Sequence, residues 1–443
     1  MSNKVVTRIA PSPTGQMHIG TVRTALFNYI FAKQNGGTYF VRIEDTDKER
    51  NKEAWVDAIW KDFEWCALPP DTKYRTSEHL ERHIELLRSL VDSNKAYISK
   101  EPKKDDPSQT VEVIRLRNPG VNVTFTDLIR GEITFDTSEL GDFVIARSLT
   151  DPLYHFAVVV DDGDAGVTHV LRAEEHISNT PRQILLIDVL GFKRPVYAHF
   201  PLILAPDRSK LSKRKHGASI ENYRNQGFIP EAIINYLALL GWNPGGEQEL
   251  FTLDELIKLF SIDRVHKAGA VFDIEKLKWF NHEHLKRFSA LEFEARLKEF
   301  LLEHGEKVPE YLFDITPELQ MRAQTLGEAA ELLRLGEFAF MEPSIELHAL
   351  LLVQGAKTDA AAIKKHLHQV AELLAPLSNE AFTAEKIKEA IFPYATEVGR
   401  AGVLWPMRVA LSGREKSPDP FVLAALIGKE KTLARIEKAA QML

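Results

Sequence analysis

The hydrophobic period of this chain changes along its length, and each change predicts a different kind of element. Val5-Val6-Thr7-Arg8-Ile9-Ala10 is an apolar run of strand length, whereas Val22, Leu26, Phe27, Ile30 and Phe31 recur at helical spacing up to Gly36-Gly37. Residues 1–95 continue this alternation, as a nucleotide-binding sheet with covering helices does. Asp45-Thr46-Asp47 reads as a cap cluster before a helix from Glu53 to Trp65, and Tyr74-Arg75-Thr76-Ser77 as the cap of a helix from Glu78 to about Val91. From about 96 to 150 the pattern turns strand-like, through Val111 to Leu116 and Phe143 to Ala146, which suggests an inserted domain. Strand-type pattern then resumes with Asp161-Asp162, and a helix from Glu174 to Leu190 leads to the apolar stretch Pro195 to Ala205. After a basic loop nearly everything is helical, with capping-box patterns at Thr252 to Glu255 and Ser289 to Glu292. The expected fold class is α/β, a Rossmann-like domain with a small α+β insertion, followed by an all-α C-terminal region.

Two signatures carry candidate chemistry, each expected on a strand-to-helix turn. The first, Ala10-Pro11-Ser12-Pro13-Thr14-Gly15-Gln16-Met17-His18-Ile19-Gly20, places His18 and Gly20 where a loop meets a helix N-terminus. Backbone N–H groups and a positive dipole end there favour phosphate oxygens, and Gly20 allows close approach of a ligand. An imidazole can donate to a phosphate as charge develops. The second, Lys210-Leu211-Ser212-Lys213-Arg214, lies in the basic loop Pro206 to Gly217. A mobile ammonium such as Lys213 would neutralise charge on a pyrophosphate leaving group. Each signature alone is an ordinary turn or a solvated basic run; the pair in this order describes ATP binding and attack on its α-phosphate.

With their flanks, the signatures resemble the glutamyl-tRNA synthetases among class I aminoacyl-tRNA synthetases, of bacterial type. The matching segments are Arg8 to Gly15, Arg42-Ile43-Glu44-Asp45-Thr46-Asp47, Val159 to Asp162, Thr168-His169-Val170-Leu171-Arg172 and Lys210 to Arg214, with a vaguer likeness near Ile427-Gly428-Lys429-Glu430. The resemblance implies a glutamate pocket of Arg8, Ser12, Glu44, Tyr154 and Arg172, with Glu44 on the α-amino group. It implies an ATP site of Ser12, Gly15, His18, Gly20 and Lys210 to Arg214, in which His18, Gly20 and Lys213 are catalytic. Guanidinium groups at the ends of two strands suit a carboxylate, which they grip bidentately; a structural salt bridge is the competing reading for both. Tyr154 reads equally as a sheet residue.

The implied reaction uses ATP with Mg²⁺, forms glutamyl adenylate, and passes the glutamyl group to the 2′-hydroxyl of the terminal adenosine of tRNA(Glu), with tRNA(Gln) open as a second acceptor. The implied domains are a catalytic domain in two halves, 1–95 and 151–215, a shortened acceptor-binding insertion at 96–150, a helical stem-contact domain at 216–310 and an anticodon-binding region at 311–443. Arg322, Arg334, Arg408 and Arg414 are candidates for anticodon contact, though each reads also as surface charge, and Trp405 reads as helix packing. A non-catalytic tRNA-binding paralogue and a tRNA-modifying glutamyl transferase remain as alternatives.

Composition narrows this picture. Net charge is −7 with a pI near 6.1, so RNA must be met by local patches such as Lys213-Arg214-Lys215, Lys276-Leu277-Lys278 and Lys286-Arg287. Cys66 is the single cysteine, which excludes a disulfide framework and, with no ligand set between Tyr97 and Pro107, removes the zinc cluster that some relatives carry there. No structural zinc is expected. His79, His83, His366 and His368 read as surface or packing residues. The absence of a signal peptide and of a membrane-length apolar stretch predicts a cytoplasmic protein that contacts no membrane, and a monomer is expected.

Overall fold

The computed structural model describes residues 4–443 apart from 47–48, 104–105, 107, 213–214, 216 and 343–344. These residues form two compact units that divide between His284 and Leu285.

The first unit is built on parallel strands. β1 (Val6–Ile9) pairs with β2 (Thr38–Ile43), and β2 with β3 (Thr72–Arg75). Between them run α1 (Ile19–Gln34) and α2 (Glu53–Trp65). The periodicity foresaw both helices, and α1 ends at the Asn35–Gly37 turn. After α3 (Leu80–Asp92) the chain enters β4 (Ala96–Pro102), β5 (Thr110–Leu116), the hairpin β6 (Asn122–Asp127) and β7 (Gly131–Asp136), β8 (Val144–Ser148) and β9 (Asp151–Pro152). It then returns through α4 (Tyr154–Asp164), β10 (His169–Ala173), α5 (Thr180–Leu190) and β11 (Val196–Phe200). The expected helix from Glu174 is divided: a 3-10 turn covers Glu174–Asn179, and the α-helix starts at Thr180 with Pro181 in its first turn. Proline is suited to that position because its missing N–H has no partner there anyway.

β10 and β11 are parallel, and the Thr168 N–H donates to Val6 O, which sets β10 beside β1. The strand order is therefore β3-β2-β1-β10-β11, with the direction of winding reversed between β1 and β10, where open α/β sheets place ligands. Asn28 of the buried α1 ties the two halves together by donating to Leu171 O. The strands from residues 96–152 divide between two sheets. β4, β5, β8 and β9 make an antiparallel sheet, whereas β6 pairs in parallel with β11 and carries β7 on its outer edge. Short helices complete this unit, among them Pro230–Leu239 and Leu253–Leu259, the latter opened by the expected Thr252/Glu255 capping box.

The second unit is helical, from Ala290–Glu303 to Lys429–Gln441. Side chains of Ser289, Thr325, Asp359, Thr383 and Asp419 each cap a helix by accepting a backbone N–H. At Ser289 the box is half-made, since Glu292 pairs with Arg296 instead of reaching back. Trp405 packs as expected: its indole N–H donates to Leu351 O, and its ring lies where Gly355 carries no Cβ, a position in which a Cβ would stand 2.3 Å from the indole. No described helix is long and apolar enough to cross a membrane.

Candidate active site

A cleft of about 540 Å³ opens where β1 and β10 end, at the point of reversed winding. Arg8, Ser12, Glu44, Tyr154 and Arg172 line it together with His18, Gly20, Lys210, Leu211 and Ser212, so residues far apart in the chain meet around one space. Gly15 is outside this lining. Lys213 and Arg214 lie outside the described residues, as does Asp47 of the expected cap cluster.

The two signatures are joined by backbone. Ile19 N–H donates to Ala218 O and Ile220 N–H to Met17 O, so the segment that opens α1 pairs with the segment that follows the basic loop. The basic signature starts on the returning arm of a hairpin and not on a strand-to-helix turn: Leu211 N–H donates to Ile203 O, and Arg208 turns the chain with φ of 63°. Lys210 extends from this arm into an ion pair with Glu175. Leu211 is buried and anchors it.

His18 caps α1, but the anion site expected from free helix N–H groups is altered. Ile19, Gly20, Thr21 and Val22 N–H groups donate to Ala218 O, His18 Nδ1, His18 O and His18 O, so the first turn is satisfied internally. What remains for a phosphate is the dipole and the ring. Since Nδ1 accepts from Gly20, the neutral imidazole carries its proton on Nε2. Gly20 matters for this geometry, because a Cβ there would stand 3.0 Å from Nδ1.

The wall formed by β1 and β2 is a network of compensated charge. Arg8 Nε donates to Asp162 Oδ2 at 3.1 Å, and Arg42, fully buried, reaches Asp162 Oδ1 at 2.5 Å, Glu44 Oε1 at 3.1 Å and Asp161 Oδ2 at 3.5 Å. Burial pushes the Asp162 carboxyl up, but Arg8 and Arg42 outweigh it and hold it below the usual carboxylate range. Burial prevails at Glu44, whose carboxyl is raised in spite of Arg42 and Arg8. Asp161 also accepts from buried His83 Nε2 at 2.7 Å, so that histidine has a polar partner inside the core.

The wall formed by β10 and β11 is different. Arg172 is buried, and its described partners are all neutral: His199 Nε2 at 3.0 Å, Gln183 Oε1 at 2.7 Å, Thr180 Oγ1 at 2.8 Å and His176 O at 3.2 Å. Burial lowers its pKa from the ordinary guanidinium value. The Tyr154 phenol, at the start of α4, is pushed up to about 12 by burial and by Glu44, so it faces the cleft as a neutral donor. Burial brings the His176 ring down to about 4, which leaves it neutral near pH 7. Such a wall can hold an anion, because a buried cation without a carboxylate gains most from one.

Several residues of the site had no role in the sequence reading. Arg42, Asp161 and Asp162 stood inside recognised segments: Arg42 is a polar residue in a buried strand, whereas Asp161 and Asp162, whose segment has a strand-type pattern, lie on the helix α4 instead. Asp127, Gln183 and His199 carry no local signal, since sheet pairing places Asp127 and His199, and the packing of α5 beside β10 places Gln183. Arg23, also buried at the cleft, donates to Leu240 O and Pro201 O, and burial brings it down to about 10. In the second unit Arg322 pairs with Glu337 and lies over the Phe338 ring, and Arg408 lies 4.7 Å over the Trp405 ring.

A family model for the catalytic domain of class I tRNA synthetases of the glutamate and glutamine group matches residues 4–106 and 98–279, and one for an anticodon-binding domain matches 282–440. Glutamate–tRNA ligase 1 of Syntrophomonas wolfei is 37% identical over 99% of this chain and 96% of its own, and glutamate–tRNA ligase 1 of Acidithiobacillus ferrooxidans 38% over 98% and 99%. A crystal structure of a glutamate tRNA ligase from Elizabethkingia meningosepticum in complex with its amino acid superposes with a TM-score of 0.84, at 31% identity and full coverage of both chains.

Proposed function

The chain belongs to the glutamate–tRNA ligases, and we propose that its cleft carries out their reaction with the side chains assembled above. Glutamate is ligated to tRNA at the expense of ATP. An oxygen of the glutamate α-carboxylate attacks the α-phosphorus, the bond from that phosphorus to the bridging oxygen breaks, and diphosphate leaves. The terminal 2′-hydroxyl of the tRNA then attacks the glutamyl carbonyl and AMP departs. Positioning and electrostatics supply the acceleration, with no protein nucleophile.

The observation that carries this assignment is the contrast around Arg172, a buried cation at the cleft whose described partners are neutral. A substrate carboxylate completes it, with Arg8 as the second guanidinium and Tyr154 and Ser12 beside them. Glu44 takes the α-amino group. His18 Nε2–H meets the phosphates, beside Gly20 and Gly15, while Lys210, Leu211, Ser212, Lys213 and Arg214 close over the triphosphate. Mg²⁺ arrives on those phosphates; among the described residues no group of three or more His, Cys, Asp or Glu side chains converges to hold it. Arg322 and Arg408 meet the anticodon loop. Cys66, buried with its thiol pushed up by burial, is inert and suits a reducing cytoplasm.

The test is aminoacylation with radiolabelled glutamate and ATP, using purified tRNA(Glu) and tRNA(Gln) side by side. Charging of the first alone identifies a discriminating enzyme and charging of both a relaxed one; tRNA binding without charging of either overturns the catalytic reading. Lys213→Ala is expected to lower the activation rate by about two orders of magnitude with glutamate affinity little changed. An unchanged rate removes Lys213 from the chemistry.

A further inference from the structure

Beyond the substrate contacts, an acid–imidazole pair stands behind Arg172. Asp127 ends β6, where its Oδ1 accepts from Ile129 N–H at 2.9 Å and Arg130 N–H at 2.8 Å. Its Oδ2 lies 2.6 Å from His199 Nδ1, and His199 Nε2 lies 3.0 Å from Arg172 Nε. Both residues are buried, His199 completely. The chain of contacts crosses from β6 to β11 to β10, so it exists only because the β6–β7 hairpin docks on the edge of the parallel sheet.

We propose that Asp127 and His199 are positioning residues for glutamate recognition: Asp127 fixes the His199 tautomer, and His199 aims Arg172 while leaving its positive charge to the substrate. An ionised carboxylate accepts only, so the proton between Asp127 and His199 sits on Nδ1 and Nε2 keeps its lone pair for Arg172. Burial pushes the Asp127 carboxyl up, but His199 and the two backbone N–H groups outweigh this and hold it ionised. The interposed ring explains why the anchor is not a direct carboxylate. Asp127 set against Arg172 would orient the guanidinium equally well, but would also neutralise it and compete with the incoming γ- or α-carboxylate. One imidazole width away, it supplies the orientation with less of the neutralisation.

This rests on the reading of the cleft as the glutamate site, and the experiment separates the two. Aminoacylation kinetics are measured for wild type, Arg172→Ala, Asp127→Asn, His199→Leu and His199→Gln, with KM for glutamate, KM for ATP, kcat and melting temperature for each. Asn at 127 keeps an oxygen for Ile129 and Arg130 and turns an N–H toward Nδ1, which moves the ring proton to Nε2 and sets donor against donor at Arg172. Loss of one bond to a charged group predicts a glutamate KM raised roughly ten- to hundredfold, with the ATP KM within about twofold. His199→Leu shows the same rise. His199→Gln, whose Oε1 replaces Nε2 as acceptor, recovers most of it. If Arg172→Ala leaves glutamate KM unchanged, the reading of the cleft fails. If Arg172→Ala raises it while Asp127→Asn and His199→Leu do not, the positioning proposal alone fails. It fails also if the two raise both KM values and lower kcat and melting temperature together, with no recovery in His199→Gln. Should Asp127→Asn not fold, the Leu-against-Gln contrast at 199 decides.

Discussion

The two walls of the cleft each present a buried guanidinium, yet they keep it in opposite electrostatic states. Arg8 stands in a web of ion pairs, with Asp162 shared between it and Arg42, and Glu44 held by Arg42. Arg172 stands among oxygens and a nitrogen that carry no charge. The first wall is stable by itself, because each buried charge has a counter-charge. The second keeps an unbalanced cation in a low dielectric, an arrangement costly in the empty protein and relieved by an anionic ligand. Compensated charge holds the shape of the first wall, and the uncompensated charge of the second suits an anionic ligand.

Lysine substitutions probe this difference most directly. Arg172→Lys is expected to raise glutamate KM about a hundredfold, since the fork and its neutral anchors are lost together, and Arg8→Lys about tenfold, since Asp162 can still hold an ammonium. Equal effects measured by steady-state aminoacylation would dissolve the contrast between the walls. Asp162→Asn tests the first wall as structure. It strips Arg8 and Arg42 of their shared counter-charge and should cost roughly 3–5 kcal/mol in denaturant unfolding; a loss under about 1 kcal/mol would mean the web is not what stabilises that wall.

Acid separates the walls more gently. His199 is lowered from the ordinary histidine value, first by burial and then by Arg172, against the raising effect of Asp127. A histidine with a depressed folded pKa contributes its stability fully above about 6.5, and loses it as pH falls through that value toward the folded one. Asp162, depressed in its turn, loses its contribution only as pH falls below the ordinary carboxylate value of 3.8. As pH falls below about 6.5 toward the lowered value of His199, glutamate KM should therefore rise in wild type, and the rise should flatten in His199→Gln. An equally steep profile in that variant assigns the titration to Glu44, whose carboxyl burial has raised.

Much of this was legible along the chain. The Val6–Ile9 strand, the helix that follows it and its end at Gly36-Gly37 were written in local periodicity. So were the Thr252 cap and the helical C-terminal region, because a strand of buried aliphatics or an amphipathic turn is specified by neighbours a few residues away. The segments that gave away the family were likewise continuous. Local reading stopped at residues 96–150, where Val111 to Leu116 was seen as a strand but nothing said that Asn122–Asp127 would join the parallel sheet. It stopped too at α1, whose first N–H is closed by Ala218 O and the next three by His18.

The sequence by itself thus determined the elements, their caps and the chemistry available: an imidazole before a helix, two arginines at strand ends, a basic loop. Only the tertiary structure decided which charges would be balanced. Asp162 comes to Arg8 across 154 positions and His199 to Asp127 across 72. Pairings at such separations depend on which strands lie side by side, and that is settled by packing the whole sheet and its helices at once, not by any local preference.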